Sequence, residues 1–340
     1  MTKAINVAVV GATGVVGEAM LDILASRKFP LGEIYALASE RSVGKEVDFG
    51  HRTLVVDNLA DFDFSKVQIG LFSAGASVSE EFAPKAAAAG CIVVDNTSQF
   101  RYDDNIPLIV PEVNADKIAD YKATGIIANP NCSTIQMVVA LKPIYDAVGI
   151  SRINVATYQA VSGAGKNAVE ELARQTAALL SFKPLEIPKN SKQIAFNAIP
   201  HIDVFQDNGY TKEEMKIVWE TQKILADDDI AINPTAVRIP VFYGHSEAIH
   251  LETSSPISVQ DVRKLMRNAP GVTLLDSSKT GKYPTAVTEA SGNDAVFVGR
   301  VRRDISHANG INLWVVSDNI RKGAALNSVQ IAEILAENYL

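Results

Sequence analysis

Apolar and polar positions along the first third of this chain predict short strands separated by helices. Residues 5–10 form a mostly apolar run, the pattern of a strand covered on both faces. Val15, Val16, Ala19, Met20, Ile23 and Leu24 then recur at helical spacing, with Glu18, Asp22 and Arg27 among the polar positions. Further strands fit 34–39, 67–73, 91–95 and 125–128, with a helix over 79–89. This alternation implies a parallel sheet with helices on both faces.

The texture changes after Cys132. Longer strands fit 153–161, 235–242, 249–252, 295–302 and 312–317, and helical stretches at 166–181, 211–226 and 259–267 lie between them. A second, α+β domain built on a mixed sheet is the economical reading. Residues 182–200, with Pro184, Pro188 and Pro200, read as a surface loop. Residues 324–338 are again helical in period and are expected to return to the first domain. The expected division is 1–130, completed by 320–340, and 131–319.

Composition narrows the class. At 340 residues, 47% hydrophobic and 21% charged, the chain has the balance of an ordinary soluble globular protein of two moderate domains. Its net charge of −7 offers no general attraction for nucleic acid or an anionic membrane. Two cysteines cannot build a disulfide framework, and the apolar run at the N-terminus is too short for a secretory signal, so a cytoplasmic protein is expected. The uncharged stretch 123–141 is interrupted by Asn129, Pro130, Asn131 and Gln136, which argues against a membrane span. The five histidines and two cysteines lack metal-ligand spacing, so no metal site is expected.

Cys132 is the first candidate for chemistry. It lies in Asn129-Pro130-Asn131-Cys132-Ser133-Thr134, between a strand and a helix, where free N–H groups and the helix dipole favour a thiolate. Cys91, within a strand, reads as core. Gly11-x-x-Gly14-x-x-Gly17 follows the first strand and opens the first helix, an arrangement that lets the backbone approach a pyrophosphate. About 20 residues beyond such a turn, an acidic residue would suit NAD and an arginine NADP. Ser39-Glu40-Arg41-Ser42 argues for NADP, with Glu40 expected to turn outward. A thiolate nucleophile needs a proton partner, and His245, beside Gly244 at the end of the 235–242 strand, is the candidate.

Four motifs together carry a resemblance: the glycine turn, Pro130-Asn131-Cys132-Ser133-Thr134, Tyr158-Gln159-Ala160-Val161-Ser162-Gly163-Ala164-Gly165, and Arg238 followed by Gly244-His245-Ser246. In order and spacing the chain resembles aspartate-semialdehyde dehydrogenases over nearly its whole length. The resemblance implies a Rossmann-type doubly wound parallel sheet for the cofactor domain. It also implies a reversible, NADP-dependent conversion of L-aspartyl 4-phosphate to L-aspartate 4-semialdehyde, through an acyl thioester released by phosphate. Carried over, Cys132 is the nucleophile, His245 the acid/base and Gln159 the positioning amide. Arg238, read as seven residues before His245 on one strand, holds the substrate carboxylate. Asn131 contributes to the substrate site, Arg101 and Lys216 bind phosphate, and Glu213 takes the amino group. Expected cofactor contacts are Gly11, Thr13, Gly14, Val15, Val16, Gly17, Ser39, Arg41, Ser42, Ser73, Gly75, Ser162, Gly163 and Asn319. A homodimer or tetramer follows from the same likeness.

Three rival readings share parts of this pattern. N-acetyl-glutamyl-phosphate reductase shares fold and cysteine, but its substrate has no free amino group for Glu213. Short-chain dehydrogenases need Tyr-x-x-x-Lys, and none of the nine tyrosines has a lysine four residues on. A nucleotide sensor that had lost its chemistry would not be expected to keep nucleophile, base and anion clamps together. In the helix over 211–226, Glu220 and Lys223 repeat the Glu213/Lys216 spacing, which is more often that of solvated surface charge. One departure from the family pattern is Ala236, where a cysteine is usual; small replaces small, and function is not expected to suffer.

Overall fold

The apolar run at the start of the chain is β1 (Ile5–Val10), buried on both faces, and its glycine turn opens α1 (Val15–Ser26). The computed structural model describes residues 4–185, 187 and 191–340. From α1 the chain continues through β2 (Leu31–Ala38), β3 (Glu46–Phe49), β4 (Arg52–Asn58), β5 (Ile69–Phe72), α2 (Ala76–Ala88), β6 (Ile92–Asp95), the short α3 (Pro111–Asn114) and β7 (Ile126–Ala128). These strands form one sheet in the order β3-β4-β2-β1-β5-β6-β7. All neighbours are parallel except the β3–β4 pair. Strand order reverses at β1, and the crevice beyond its carboxyl end is where such sheets bind ligands. The β3–β4 hairpin has no counterpart in the sequence reading. Its edge strand alternates exposed Glu46 and Asp48 with buried Val47 and Phe49 over only four residues, and Val56 of β4 joins the same core.

A second unit runs from Cys132 to Lys322. Its elements are α4 (Cys132–Val148), β8 (Ile150–Gln159), α5 (Lys166–Leu180), α6 (Lys212–Leu225), β9 (Ala231–Arg238), β10 (His245–Thr253), α7 (Val259–Asn268), β11 (Val272–Leu274), β12 (Val296–Arg303) and β13 (Gly310–Ser317). The sheet order is β11-β12-β13-β10-β8-β9, with parallel pairs at both ends and antiparallel pairs between. Helices α4, α6 and α7 pack against it. A capping box starts α6: the Thr211 hydroxyl accepts from Glu214 N–H, while the Glu214 carboxylate accepts from Thr211 N–H.

One strand expected from sequence is divided. The apolar stretch 235–242 suggested a single strand leading to His245, yet β9 stops at Arg238 and His245 opens β10. Pro240 has no N–H for the ladder, and Gly244 turns the chain at φ +89°, so Arg238 and His245 stand on different strands. In the expected loop 182–200, Glu186, Pro188, Lys189 and Asn190 lie outside the described residues; the others form no helix and only a single bridge, Ile199 to Arg238.

After the second unit the chain returns to the first as α8 (Leu326–Asn338), and Gly323–Leu340 belongs with residues 1–131. Leu326, Val329, Ala332 and Leu335 join the core that holds Met20, Leu21 and Leu24 of α1. The Asn327 amide, fully buried, donates to Asn129 Oδ1 at 2.7 Å and to the Ile109 carbonyl at 2.9 Å. Replacing it by leucine leaves both acceptors without that donor. Asn327→Leu should therefore lower unfolding stability by about 1–3 kcal/mol; a urea midpoint equal to that of the unsubstituted protein would show the bridge to be inert.

Candidate active site

Strand register in the second sheet brings four side chains to neighbouring strand ends. Gln159 pairs with Arg238 across β8 and β9, and His245 pairs with Ser317 across β10 and β13. Ser246 opposite Tyr158 then sets His245 beside Gln159. The row Arg238, Gln159, His245, Ser317 crosses four adjacent strands. One residue along each strand points away, and the second returns to the same face. Thr157 lies under Gln159 and donates its hydroxyl hydrogen to Gln159 Oε1 at 3.0 Å. That bond orients the amide so that Gln159 Nε2 donates to Glu213 Oε1, also at 3.0 Å.

His245 is fully buried, and its ring is held from behind. The Ala160 N–H donates to His245 Nδ1 at 3.0 Å, which puts the proton of the neutral ring on Nε2. Burial, then the Arg238 charge, pushes its pKa from 6.5 to about 3, with Glu213 pulling the other way. Arg238 is itself lowered by burial, against the opposing charges of Glu213 and Cys132. Its Nη1 donates to the Ala160 carbonyl at 2.7 Å. A Cβ on Gly163 would come within 3.3 Å of Arg238 Nη1 and 3.4 Å of His245 Nε2, so glycine keeps this corner open. Cys132, half-buried, is the first residue of α4, where N–H groups not yet engaged in the helix stabilise negative charge.

The two charges expected on one face of α6 are joined, and a third group completes them. Lys216 Nζ donates to Glu213 at 2.9 Å and to Asp203 at 2.7 Å. Burial alone would lower the lysine, but Glu213 and Asp203 together raise it. Asp203 has φ +68°, a conformation aspartate tolerates better than most residues. No sequence pattern marked it, because it lies in an irregular segment and reaches Lys216 only in the folded chain. Glu220, which repeats a spacing more often that of solvated charge, is fully buried. Asn319 is committed inside the unit: its side chain bonds the Ser162 hydroxyl at 3.0 Å and accepts from Gly244 N–H at 2.9 Å.

In the first unit, the glycine turn opens onto a cavity of about 560 Å³. Among the expected cofactor residues, Gly11, Thr13, Gly14, Ser39, Arg41 and Ser73 line it. Val15, Val16, Gly17, Ser42 and Gly75 are not among its lining residues, while Ser162, Gly163 and Asn319 belong to the second unit. Asn58, Leu59, Val78 and Phe82 also line the cavity, and no sequence pattern marked them; Asn58 ends β4 and Leu59 follows it. Glu40, expected to turn outward, lines the cavity as well: it opens a short 3₁₀ turn that keeps it beside Arg41. Gly11 has φ +87°, and a Cβ there would lie 2.9 Å from the Ala74 nitrogen. A Cβ on Gly17 would lie 2.1 Å from the Gly11 carbonyl. These close approaches shape a backbone cradle that fits a dinucleotide phosphate.

Arg101 is buried in the same unit, and its Nη2 donates to the Asn96 carbonyl at 3.0 Å. The Asn96 side chain accepts from Asn129 at 2.7 Å, and Asn129 in turn accepts from Asn327. Asp95, raised by burial, is drawn back by Ser79, Thr97 and Arg101. Asn131 is buried at the end of this unit. Cys91 is buried, which pushes its thiol up to about 12 and leaves it inert. Among the described residues no acidic, histidine or cysteine cluster could hold a metal ion, and no helix is long and apolar enough to cross a membrane.

Comparison with known proteins agrees with these motifs. Residues 6–121 match the family described as semialdehyde dehydrogenase, NAD binding domain, and residues 141–322 its dimerisation domain. The chain is 63% identical to the aspartate-semialdehyde dehydrogenase of Legionella pneumophila, over 100% of this chain and 98% of the relative. The crystal structure of Vibrio cholerae aspartate semialdehyde dehydrogenase II complexed with ASA superposes with a TM-score of 0.97 at 59% identity, covering 99% of this chain and 100% of that one. That of the Candida albicans enzyme with NADP does so with a TM-score of 0.78 at 25% identity, covering 99% and 100%. With such identity over its full length, the chain belongs to the aspartate-semialdehyde dehydrogenase family.

Proposed function

We propose that this chain is an NADP-dependent aspartate-semialdehyde dehydrogenase, interconverting L-aspartyl 4-phosphate and L-aspartate 4-semialdehyde through an acyl thioester on Cys132. The observation that carries the reading is the row of half-buried Arg238 with buried Gln159 and His245, with Glu213 bonded to it and the Cys132 charge acting on Arg238. Family membership supports it, as do the ASA named for the Vibrio cholerae structure and the NADP named for the Candida albicans one.

In the oxidative direction, Cys132 Sγ adds to the aldehyde carbon, and the carbonyl oxygen takes the negative charge. The first turn of α4 and the Arg238 guanidinium favour the thiolate. His245 works through Nε2, because Nδ1 is engaged by the Ala160 N–H, and it holds or moves the proton at the substrate oxygen. The bound nicotinamide supplies hydride acceptance and return. Phosphate then attacks the thioester carbon and the C–S bond breaks, which frees aspartyl phosphate and the Cys132 thiolate. Arg238 holds the substrate carboxylate, Glu213 the amino group, and Arg101 with Lys216 the phosphate, while Asn131 and Gln159 orient the substrate. Arg41 and Ser39 in the cofactor cavity favour the 2′-phosphate, and Glu40 beside them sets how much NAD is accepted. The reading extends to a cytoplasmic homodimer serving lysine, diaminopimelate, threonine and methionine biosynthesis.

A direct test is NADPH formation by the pure protein with NADP, phosphate and aspartate semialdehyde, run in parallel with NAD and without phosphate. Absence of phosphate-dependent turnover with either cofactor would refute the proposal. Cys132→Ala should abolish turnover while NADP binding persists, because the cavity in the first unit does not include the thiol; a binding titration reads this. Arg101→Ala should chiefly raise the KM for phosphate. An unchanged phosphate KM would remove Arg101 from that site.

His245 gives a pH prediction with a definite sign. An unfolded histidine binds a proton below about pH 6.5, whereas the folded ring refuses it until about 3, so its contribution to stability is lost as pH falls through that window. Across pH 5 to 8 the ring stays neutral, and kcat/KM should show no inflection near 6.5 from this residue. Nitrogen-15 NMR of labelled histidine checks it: a His245 signal titrating near 6.5 would contradict the buried, donor-occupied ring.

A further inference from the structure

One row below the catalytic residues, the second sheet carries a carboxyl group that the reaction above does not use. Register sets Glu247 opposite Thr157 on β8 and Val315 on β13, on the same face as His245 two residues before it. In the next row, Ile249 lies opposite Val155 and Leu313, and from there the face is hydrocarbon. Glu247 thus stands where the polar end of the sheet meets the apolar core. It is 0% exposed, and no described side chain closes a hydrogen bond of good geometry on either carboxyl oxygen.

The group that faces it comes from α4. Gln136 is 1% exposed, its amide likewise lacks another hydrogen-bond partner, and it draws the Glu247 carboxyl back toward its ordinary range. Gln136 lies four residues after Cys132, hence on the same face of α4 and one turn deeper. The helix therefore carries Cys132 above Gln136, and the strand carries His245 above Glu247.

We propose that the Glu247 carboxyl group and the Gln136 amide form a buried acid–amide pair that locks the first turns of α4 against β10, making Glu247 a positioning residue for Cys132 and His245. The inference rests on the reading of Cys132 and His245 as the reacting pair. Burial drives the carboxyl well above its ordinary value, which favours the protonated form. Only a protonated acid can both donate O–H to the Gln136 carbonyl and accept an N–H from its amide. An ionised carboxylate here would lack a counter-charge: Arg238 stands one row above, bonded to the Ala160 carbonyl. A neutral pair fixes geometry without an uncompensated charge beside the apolar core.

Two substitutions separate this role from mere packing. Glu247→Leu keeps bulk and removes the pair; it should lower kcat about 10- to 100-fold, the cost of a misplaced reacting group, with the KM for semialdehyde and NADP little changed. Its Tm should fall, since the Gln136 amide is left buried without its partner. Glu247→Gln retains a neutral hydrogen-bonding group and should restore kcat. Iodoacetamide alkylation of Cys132, followed across pH, should change its midpoint in Glu247→Leu and not in Glu247→Gln, with buried Cys91 as the unreactive control. Full kcat and an unshifted alkylation curve in Glu247→Leu would overturn the proposal, and so would a Glu247→Gln enzyme as slow as Glu247→Leu. If Glu247→Leu does not fold, Gln136→Leu takes its place with the same expected and opposing results. Alkylation reports on Cys132 whatever reaction it performs, so turnover surviving in Cys132→Ala would defeat the catalytic reading alone.

Discussion

Burial of charge at the end of an apolar sheet is the constraint on which this site depends. Arg238, Lys216 and Glu213 are all largely removed from water, where an unmatched charge costs several kcal/mol. Glu213 is the common counter-charge. One of its oxygens accepts from Gln159 and the other from Lys216, while its field supports both cations. The same surroundings keep His245 neutral, because a second proton on the ring would face Arg238 without water to screen it. The protonation states of these groups are thus set by what the sheet buries together.

Closely approaching backbone plays the matching part in the first unit. Gly11 at φ +87° turns the chain against Ser73 and Ala74, and the α1 backbone at Gly17 comes down onto the Gly11 carbonyl. Side-chain amides then tie distant segments: Asn327 to Asn129, Asn129 to Asn96, and the Asn96 carbonyl to Arg101. A residue of the C-terminal helix therefore helps to hold an arginine that lies more than two hundred positions earlier in the chain.

Much of the architecture was legible because it is local. A buried parallel strand must be apolar along its length, and an amphipathic helix must repeat near 3.6, so β1, α1, β6, α5, α6 and α8 show in the residues themselves. The β3–β4 hairpin did not, since four residues of alternation at a sheet edge are too short a pattern to stand out from a loop. Glu220 was equally opaque: spacing on a helix reports which residues share a face, and only packing reveals whether water reaches it.

By itself, then, the sequence determined the two-part α/β class, from apolar patterns along the chain, and the glycine turn and a cysteine at a helix start, both written within a dozen neighbouring residues. The tertiary structure decided that Arg238 and His245 stand on separate strands, that Glu40 lines the cavity, that Asp203 reaches Lys216, and that Glu247 meets Gln136. Each of these turns on strand register or on the path of a loop. Pro240 and Gly244 mark the first break locally, but the partners brought together are fixed by pairing and burial across long stretches of chain.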